Sequence, residues 1–150
     1  MKFRLAAITL IPLAVLFVLR AAVPVHAQDA QDKSVWDGIY THEQAERGKQ
    51  LYSDTCASCH GPELTGGEMA PPLVGGDFQA DWNGLSVGDL FERMRISMPQ
   101  NAPGSLSGQQ NADILAFLLE ANKFPIGSTE LPKEAMVLKS IKFESKKSGN

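Results

Sequence analysis

The run that most constrains this chain contains Cys56 and Cys59, separated by two residues, with His60 directly after them. Side chains three and four positions apart on a helical turn share one face, so both thiols and the imidazole project together. The two thiols can add across the two vinyl groups of a porphyrin edge, and the imidazole can reach the iron. This run is the attachment signal for a c-type haem. It predicts one haem c, covalently bound through Cys56 and Cys59, with His60 as an iron ligand.

Other uses of the cysteine pair fit the sequence less well. A zinc site needs four ligands, and beyond residues 1–27 the chain offers only His42 as a further histidine. A thioredoxin-like dithiol follows a strand, whereas residues 45–52 have a helical pattern. A disulfide between Cys56 and Cys59 is geometrically possible, but it leaves His60 and the glycine-rich loops unexplained.

Three segments begin with a hydroxyl residue followed three positions later by an acidic or amide residue, which is typical of a capping box. They begin at Thr41, where Gln44 could reach back to the cap, at Ser86 and at Ser107. They predict helices over about 41–55, 86–98 and 107–122, with Asn122 as the last C-terminal cap. No alternation typical of strands is visible, so the fold class is predicted to be all-α.

The segments that join these helices, 61–84 and 99–106, are rich in glycine and proline. Loops of this length normally count against a helix assignment. That objection disappears if the loops surround a group that is not protein. The sequence therefore predicts three main helices and long Gly/Pro-rich loops wrapped around one covalently bound haem.

The second axial ligand of the iron decides between electron transfer and small-molecule chemistry. The candidates are Met69, Met94, Met98, Met136 and His42. Met94 fits a core position, and Met69 follows His60 too closely to reach the opposite haem face. Met98 is favoured because Pro99 ends the helix there and begins a loop that two prolines stiffen. Its alternative role is to cap the core face of that helix.

Two supporting residues follow from the same reasoning. A metal-bound histidine generally donates its other ring N–H to a fixed acceptor. Proline backbone outside a helix can offer a free carbonyl, which points to Pro71 first and Pro72 second. The indole N–H of Trp82, in a polar stretch, could hydrogen-bond a haem propionate; the alternative is a partly buried surface aromatic.

The N-terminus has a secretory signal pattern. Lys2 and Arg4 precede an apolar run, residues 5–19, which is shorter than the roughly 20 residues that a spanning helix needs. Cleavage is expected after Ala27, which predicts a periplasmic protein with no membrane span; an uncleaved anchor is the alternative. The predicted organisation is a signal peptide 1–27, an N-terminal extension 28–40, a haem domain 41–122 and a C-terminal strap and tail 123–150 with one helical turn at 134–140.

Charge and composition exclude some classes of function. The formal net charge is −3, with 14 Lys+Arg against 17 Asp+Glu, and 43% of the residues are hydrophobic. Because no basic patch could follow a phosphate backbone, a nucleic-acid partner is not expected.

These motifs, in this order, resemble the class I cytochrome c family of single-haem electron carriers with a His/Met-ligated iron. The likeness extends from about Trp36 to Leu131 and rests on the runs 56–61, 71–75 and 98–99. It implies the cytochrome c fold, with the 71–75 loop supplying the carbonyl for the proximal His60. It also implies that Gly48 and Tyr52 lie where the first helix crosses the last.

Segments 47–52, 103–106 and 116–122 are most similar to bacterial cytochrome domains associated with quinoprotein dehydrogenases. This similarity implies an electron-transfer protein rather than an enzyme, acting between a periplasmic dehydrogenase and a downstream acceptor. The implied redox partners are a quinoprotein dehydrogenase and a terminal oxidase or another cytochrome, and the chain could be that dehydrogenase's cytochrome subunit. The alternatives are an open-site haem protein, peroxidase-like or gas-sensing, and a non-redox periplasmic subunit.

Overall fold

The named secondary-structure elements are all helices in the part of the chain that the computed structural model describes, residues 33–147. Its helices are α1 (His42–Thr55), α2 (Ala57–His60), α3 (Gly75–Trp82), α4 (Val87–Ser97), α5 (Gly108–Ala121) and α6 (Ala135–Leu138). Within 33–147 there is no β-strand, only isolated bridges that pair Lys142 with Ser34 and Ser86. The all-α prediction is confirmed. The predicted signal peptide 1–27 lies outside the described residues.

The predicted caps set the limits of the longer helices. Ser86 and Asp89 form a complete capping box at α4, and Ser107 and Gln110 form another at α5. Thr41 caps α1 by accepting a hydrogen bond from the Gln44 backbone N–H at 3.2 Å. Each cap satisfies backbone donors that the first helical turn leaves unpaired.

The expectation that the Gln44 side chain reaches back to Thr41 is wrong. The Gln44 amide is fully buried and forms a reciprocal pair of hydrogen bonds with the backbone of Leu131. Its Nε2 donates to the Leu131 carbonyl at 3.0 Å, and its Oε1 accepts from the Leu131 N–H at 2.7 Å. Because a buried amide needs partners for both its ends, Gln44 joins the C-terminal segment to α1.

Helices α1 and α5 cross at Gly48, as the resemblance implied. A Cβ on Gly48 would lie 1.8 Å from the Asp113 carbonyl oxygen, so the two backbones meet there without a side chain between them. Beside the crossing, Arg47 forms a two-pronged hydrogen bond with the Asp113 carboxylate. One turn further, the rings of Tyr52 and Phe117 lie 5.4 Å apart. This crossing positions the end of α1, from which the cysteine run continues.

Both ends of the described chain contribute to the main hydrophobic core. Buried side chains before α1 and after α5 are Val35, Ile39, Tyr40, Phe124, Leu131, Leu138, Ile141 and Phe143. The Tyr40 hydroxyl donates to the Phe124 carbonyl at 2.6 Å, and Trp36 Nε1 donates to the Glu144 carbonyl at 2.8 Å. The segments assigned to the N-terminal extension and to the C-terminal strap therefore pack into one core with the helices.

The expectation of an irregular loop over 61–84 is wrong for its second half, which contains α3. The helix begins with two glycines, which have a low helix propensity. It is held by tertiary contacts instead. The Gly75 N–H donates to Asn122 Oδ1 at 3.1 Å, and the buried ring of Phe78 packs edge-on against Phe143.

No helix between residues 33 and 147 is long and apolar enough to cross a bilayer.

Candidate haem-binding site

The cysteine run forms a separate helical turn immediately after α1. The Cys56 carbonyl accepts hydrogen bonds from the N–H groups of Cys59 and His60, at 3.1 and 3.0 Å. Both cysteines are free thiols, with Cys56 half-buried and Cys59 exposed. Burial raises the pKa of the Cys56 thiol, and the hydrogen bond with the Thr55 hydroxyl partly opposes that rise. The turn is the helical geometry that the sequence predicted for this run.

The imidazole of His60 is buried, with 8% of the residue exposed. Its Nδ1 lies 2.9 Å from the Pro71 carbonyl oxygen. Since a carbonyl can only accept, Nδ1 carries the proton and donates it to this bond. No described residue hydrogen-bonds Nε2. The ring therefore presents the Nε2 lone pair, the tautomer with which a histidine ligates a metal through Nε2.

The loop that supplies the Pro71 carbonyl folds back onto the cysteine run. The Gly66 N–H donates to the His60 carbonyl at 2.9 Å, and the Leu73 N–H donates to the Leu64 carbonyl at 2.8 Å. Gly66 has a φ of +72°, and a Cβ there would lie 2.6 Å from the Pro72 nitrogen. Only glycine suits this position. Sequence reasoning missed Gly66, although the Gly66-Gly67 pair was a local signal of a tight turn.

Tyr52 holds the far end of the cysteine run. Its hydroxyl donates to the Gly61 carbonyl at 2.6 Å, and burial, with a smaller contribution from Cys56, raises the pKa of Tyr52 to about 12. The resemblance placed Tyr52 at the helix crossing but did not predict this hydrogen bond. Tyr52 therefore connects the α1–α5 crossing to the residue that follows His60.

A small apolar cluster lies beside the turn. Its buried members are Tyr52, Leu64, Ile114 and Leu118, and Cys56, Ala57, Leu73, Val74, Met94, Leu106 and Phe117 are among those that pack against them. Two thiols, an available imidazole nitrogen and an adjoining apolar surface suit a haem, which needs thioether partners, an axial ligand and hydrophobic contact. The residues present fit the group that the cysteine run predicts.

Residues 43–118 match the family described as cytochrome c oxidase, cbb3-type, subunit III. The match covers about half of the chain and includes the cysteine run, Pro71 and Met98. The chain belongs to this cytochrome c family. The resemblance to class I c-type cytochromes is thus confirmed, and a cytochrome c domain implies haem c and electron transfer rather than catalysis.

A solved structure that is similar to this cytochrome is the sulfane dehydrogenase SoxCD from Paracoccus pantotrophus. The two chains are 25% identical, with a TM-score of 0.44. The alignment covers 74% of this cytochrome and 61% of the SoxCD chain. No curated protein matches the sequence.

The candidates for the second axial ligand have different environments in this cytochrome. Met98 is half-buried and caps the C-terminus of α4, where its N–H donates to the Met94 carbonyl. Met94 packs against both hydrophobic clusters, which agrees with its interpretation as a core residue. Met69 and Met136 are 78% and 82% exposed. Met98 as the second axial ligand stays a prediction.

His42 and Trp82 both contact other residues of the protein. His42 is exposed at the start of α1, and its Nδ1 lies 2.8 Å from a carboxylate oxygen of Glu120. Trp82 ends α3 and packs, half-buried, against the main core. A hydrogen bond from Trp82 to a haem propionate stays a prediction.

Proposed function

We propose that this protein is an exported monohaem c-type cytochrome that carries single electrons between a periplasmic dehydrogenase and a downstream acceptor. The observation that carries the proposal is the buried His60, whose Nδ1 donates to the Pro71 carbonyl at 2.9 Å. Its Nε2 thereby remains a ligand nitrogen, one residue from a pair of free thiols. A haem bound there supplies a one-electron ferric/ferrous couple.

Each proposed role belongs to a particular atom of the chain. The Cys56 and Cys59 sulfurs would each hold the haem through a C–S bond to one vinyl group, with the thiol hydrogen passing to the neighbouring vinyl carbon. His60 Nε2 would be one iron ligand, and the Nδ1–H···O bond to Pro71 fixes the ring and raises its basicity. The Met98 thioether would be the second iron ligand. Ligation by both side chains would let a bound haem exchange one electron without gaining or losing a ligand.

The proposed partners and location rest on the sequence. Segments 47–52, 103–106 and 116–122 resemble cytochrome domains associated with quinoprotein dehydrogenases, which supports such a dehydrogenase as the donor. A terminal oxidase or another cytochrome would accept the electron. Residues 1–27 have the pattern of a cleaved secretory signal, which supports the periplasm. An electron carrier needs only a brief encounter with each partner, for which a small interface is sufficient.

The first test is expression of the full-length chain in a host that attaches haem c, followed by intact mass and absorption spectra. We expect the added mass of one haem, a sharp α band after reduction and a weak far-red band in the oxidised form. A high-spin spectrum would favour an open-site enzyme or sensor instead. A colourless product without added mass would contradict the cytochrome function.

Met98→Ala is expected to remove the far-red band and to open the iron to carbon monoxide. The reduction potential should fall by roughly 0.08 V or more, because thioether ligation raises it. This fall is about a tenth of the ~0.8 V range that axial ligands span. Redox titration and carbon monoxide binding to the reduced protein measure both effects. Met136→Ala removes an exposed methionine from α6 and should leave both unchanged. An unaltered spectrum and potential in Met98→Ala would show that another residue is the ligand.

A further inference from the structure

We infer that Asn122 is a positioning residue for the proximal side of the haem site. Its side chain fixes residues 73–75 and thereby holds the Pro71 carbonyl where His60 Nδ1 donates to it. This inference rests on the proposed function, because it concerns the histidine that would ligate the iron. It gives Asn122 a role beyond the C-terminal cap that the sequence predicted.

The Asn122 side chain bonds at both its ends to the same short segment. Its Nδ2 donates to the Leu73 carbonyl at 2.9 Å, and its Oδ1 accepts from the Gly75 N–H at 3.1 Å. Nδ2 also donates at 2.8 Å to the Leu118 carbonyl, which accepts the Asn122 backbone N–H as well, at 3.1 Å. Only 5% of Asn122 is exposed, so water cannot readily replace these partners. A helix cap requires only the Leu118 bond, and the two bonds to Leu73 and Gly75 serve the loop.

The segment 71–75 is held from two sides. On one side it contacts the loop that follows the cysteine run. The Leu73 N–H donates to the Leu64 carbonyl there, and Gly66 approaches Pro72 closely. On the other side it meets α5 through Asn122. Because the ring of Pro72 fixes a φ angle between the Pro71 carbonyl and Leu73, fewer rotatable bonds can absorb a displacement at Leu73, and part of that displacement reaches the Pro71 carbonyl.

Helix α5 thereby sets both partners of the His60–Pro71 hydrogen bond. It positions the donor through α1, since Phe117 packs against Tyr52 and the Tyr52 hydroxyl holds Gly61, next to His60. It positions the acceptor through Asn122. Loss of the Asn122 side chain should leave the donor in place while the acceptor becomes free to move.

The test compares Asn122→Leu with Gln44→Met in the full-length, haem-loaded protein. Both variants replace a buried amide, bonded reciprocally to a distant backbone segment, with an apolar side chain of similar size. Gln44 bonds to Leu131 rather than to the 73–75 segment, so it is the matched control. The readouts are the exchange rate of the His60 Nδ1–H in the reduced protein, measured by NMR, and the reduction potential.

We expect Asn122→Leu to speed exchange of this proton by up to about tenfold, the factor that corresponds to one lost hydrogen bond. Its reduction potential should rise, because a weaker bond to Pro71 makes the imidazole a poorer electron donor to ferric iron. Gln44→Met should reduce thermal stability while it leaves the exchange rate and the potential at their wild-type values. Wild-type exchange and potential in Asn122→Leu would overturn the inference and leave Asn122 a structural cap.

Two other outcomes differ from wild-type exchange and potential in Asn122→Leu. A wild-type protein that binds no covalent haem overturns the proposed function and this inference with it, before any variant is compared. If Asn122→Leu does not accumulate, hydrogen exchange of the wild-type holoprotein in increasing denaturant decides the question. The Gly75 N–H and the His60 Nδ1–H should then exchange through the same opening of the structure, with the same denaturant dependence. Exchange through independent openings would overturn the inference.

Discussion

Gly48→Ala is expected to destabilise the protein by about 3 kcal/mol or more, a large part of the 5–15 kcal/mol that stabilises a typical domain. The added Cβ would lie 1.8 Å from the Asp113 carbonyl oxygen and 2.9 Å from the Ile114 nitrogen. Both are backbone atoms, so α1 and α5 must separate to admit the methyl group. Separation would weaken the Arg47–Asp113 hydrogen bonds and the contact between Tyr52 and Phe117. Denaturant unfolding of the holoprotein should show a lower midpoint.

The control for this variant is Gly76→Ala. Gly76 is also a helical glycine, in α3, but apart from its chain neighbours and the backbone of its own helix, no heavy atom of the described residues lies within 4 Å of the position that its Cβ would take. Alanine is a better helix former than glycine by up to about 1 kcal/mol, so Gly76→Ala should be neutral or slightly stabilising. Equal stability changes in the two variants would contradict the close crossing at Gly48.

Replacing both cysteines with serine is expected to abolish covalent haem attachment. The chain contains only two cysteines, Cys56 and Cys59, and a serine hydroxyl lacks the nucleophilicity with which a thiolate adds to a vinyl group. The denatured double variant should retain no haem absorbance, and its intact mass should lack the haem. Each single variant should retain at most one thioether bond.

Ser58→Ala is the control for the cysteine variants. Ser58 is exposed and lies between the two cysteines, so alanine preserves their spacing and the helical turn. This variant should carry covalent haem as the wild type does. Covalent haem on the double cysteine variant would show that these thiols are not the attachment points.

Helix limits were predictable because their signals are local. The hydroxyl residues at 41, 86 and 107 precede α1, α4 and α5, and each hydroxyl accepts a hydrogen bond from the backbone N–H three positions further on. The same short range made the turn at Cys56–His60 predictable. Gln44 shows the limit of such signals: its capping position was correct, yet its side chain bonds to Leu131, which is 87 positions away.

Helix α3 was not predicted because the interactions that stabilise it are not local. Its first residues, Gly75 and Gly76, have little intrinsic preference for a helix, and its stability comes from Asn122 and from the contact between Phe78 and Phe143. The core contributions of residues 33–40 and 124–143 also depend on contacts across most of the chain. A single sequence contains no short-range sign of them.

The sequence by itself determined the chemistry of this protein: two thiols and an imidazole on one turn, three main helices and a proline carbonyl available to His60. These depend on residue types and on spacings of a few positions. Only the tertiary structure decided that the Gln44 amide bonds to Leu131, why Gly66 must be glycine and which side chain holds the loop at Pro71. Those answers depend on residues such as Asn122 and Leu73, which are 49 positions apart. Packing of the whole fold brings them together, and no local pattern records it.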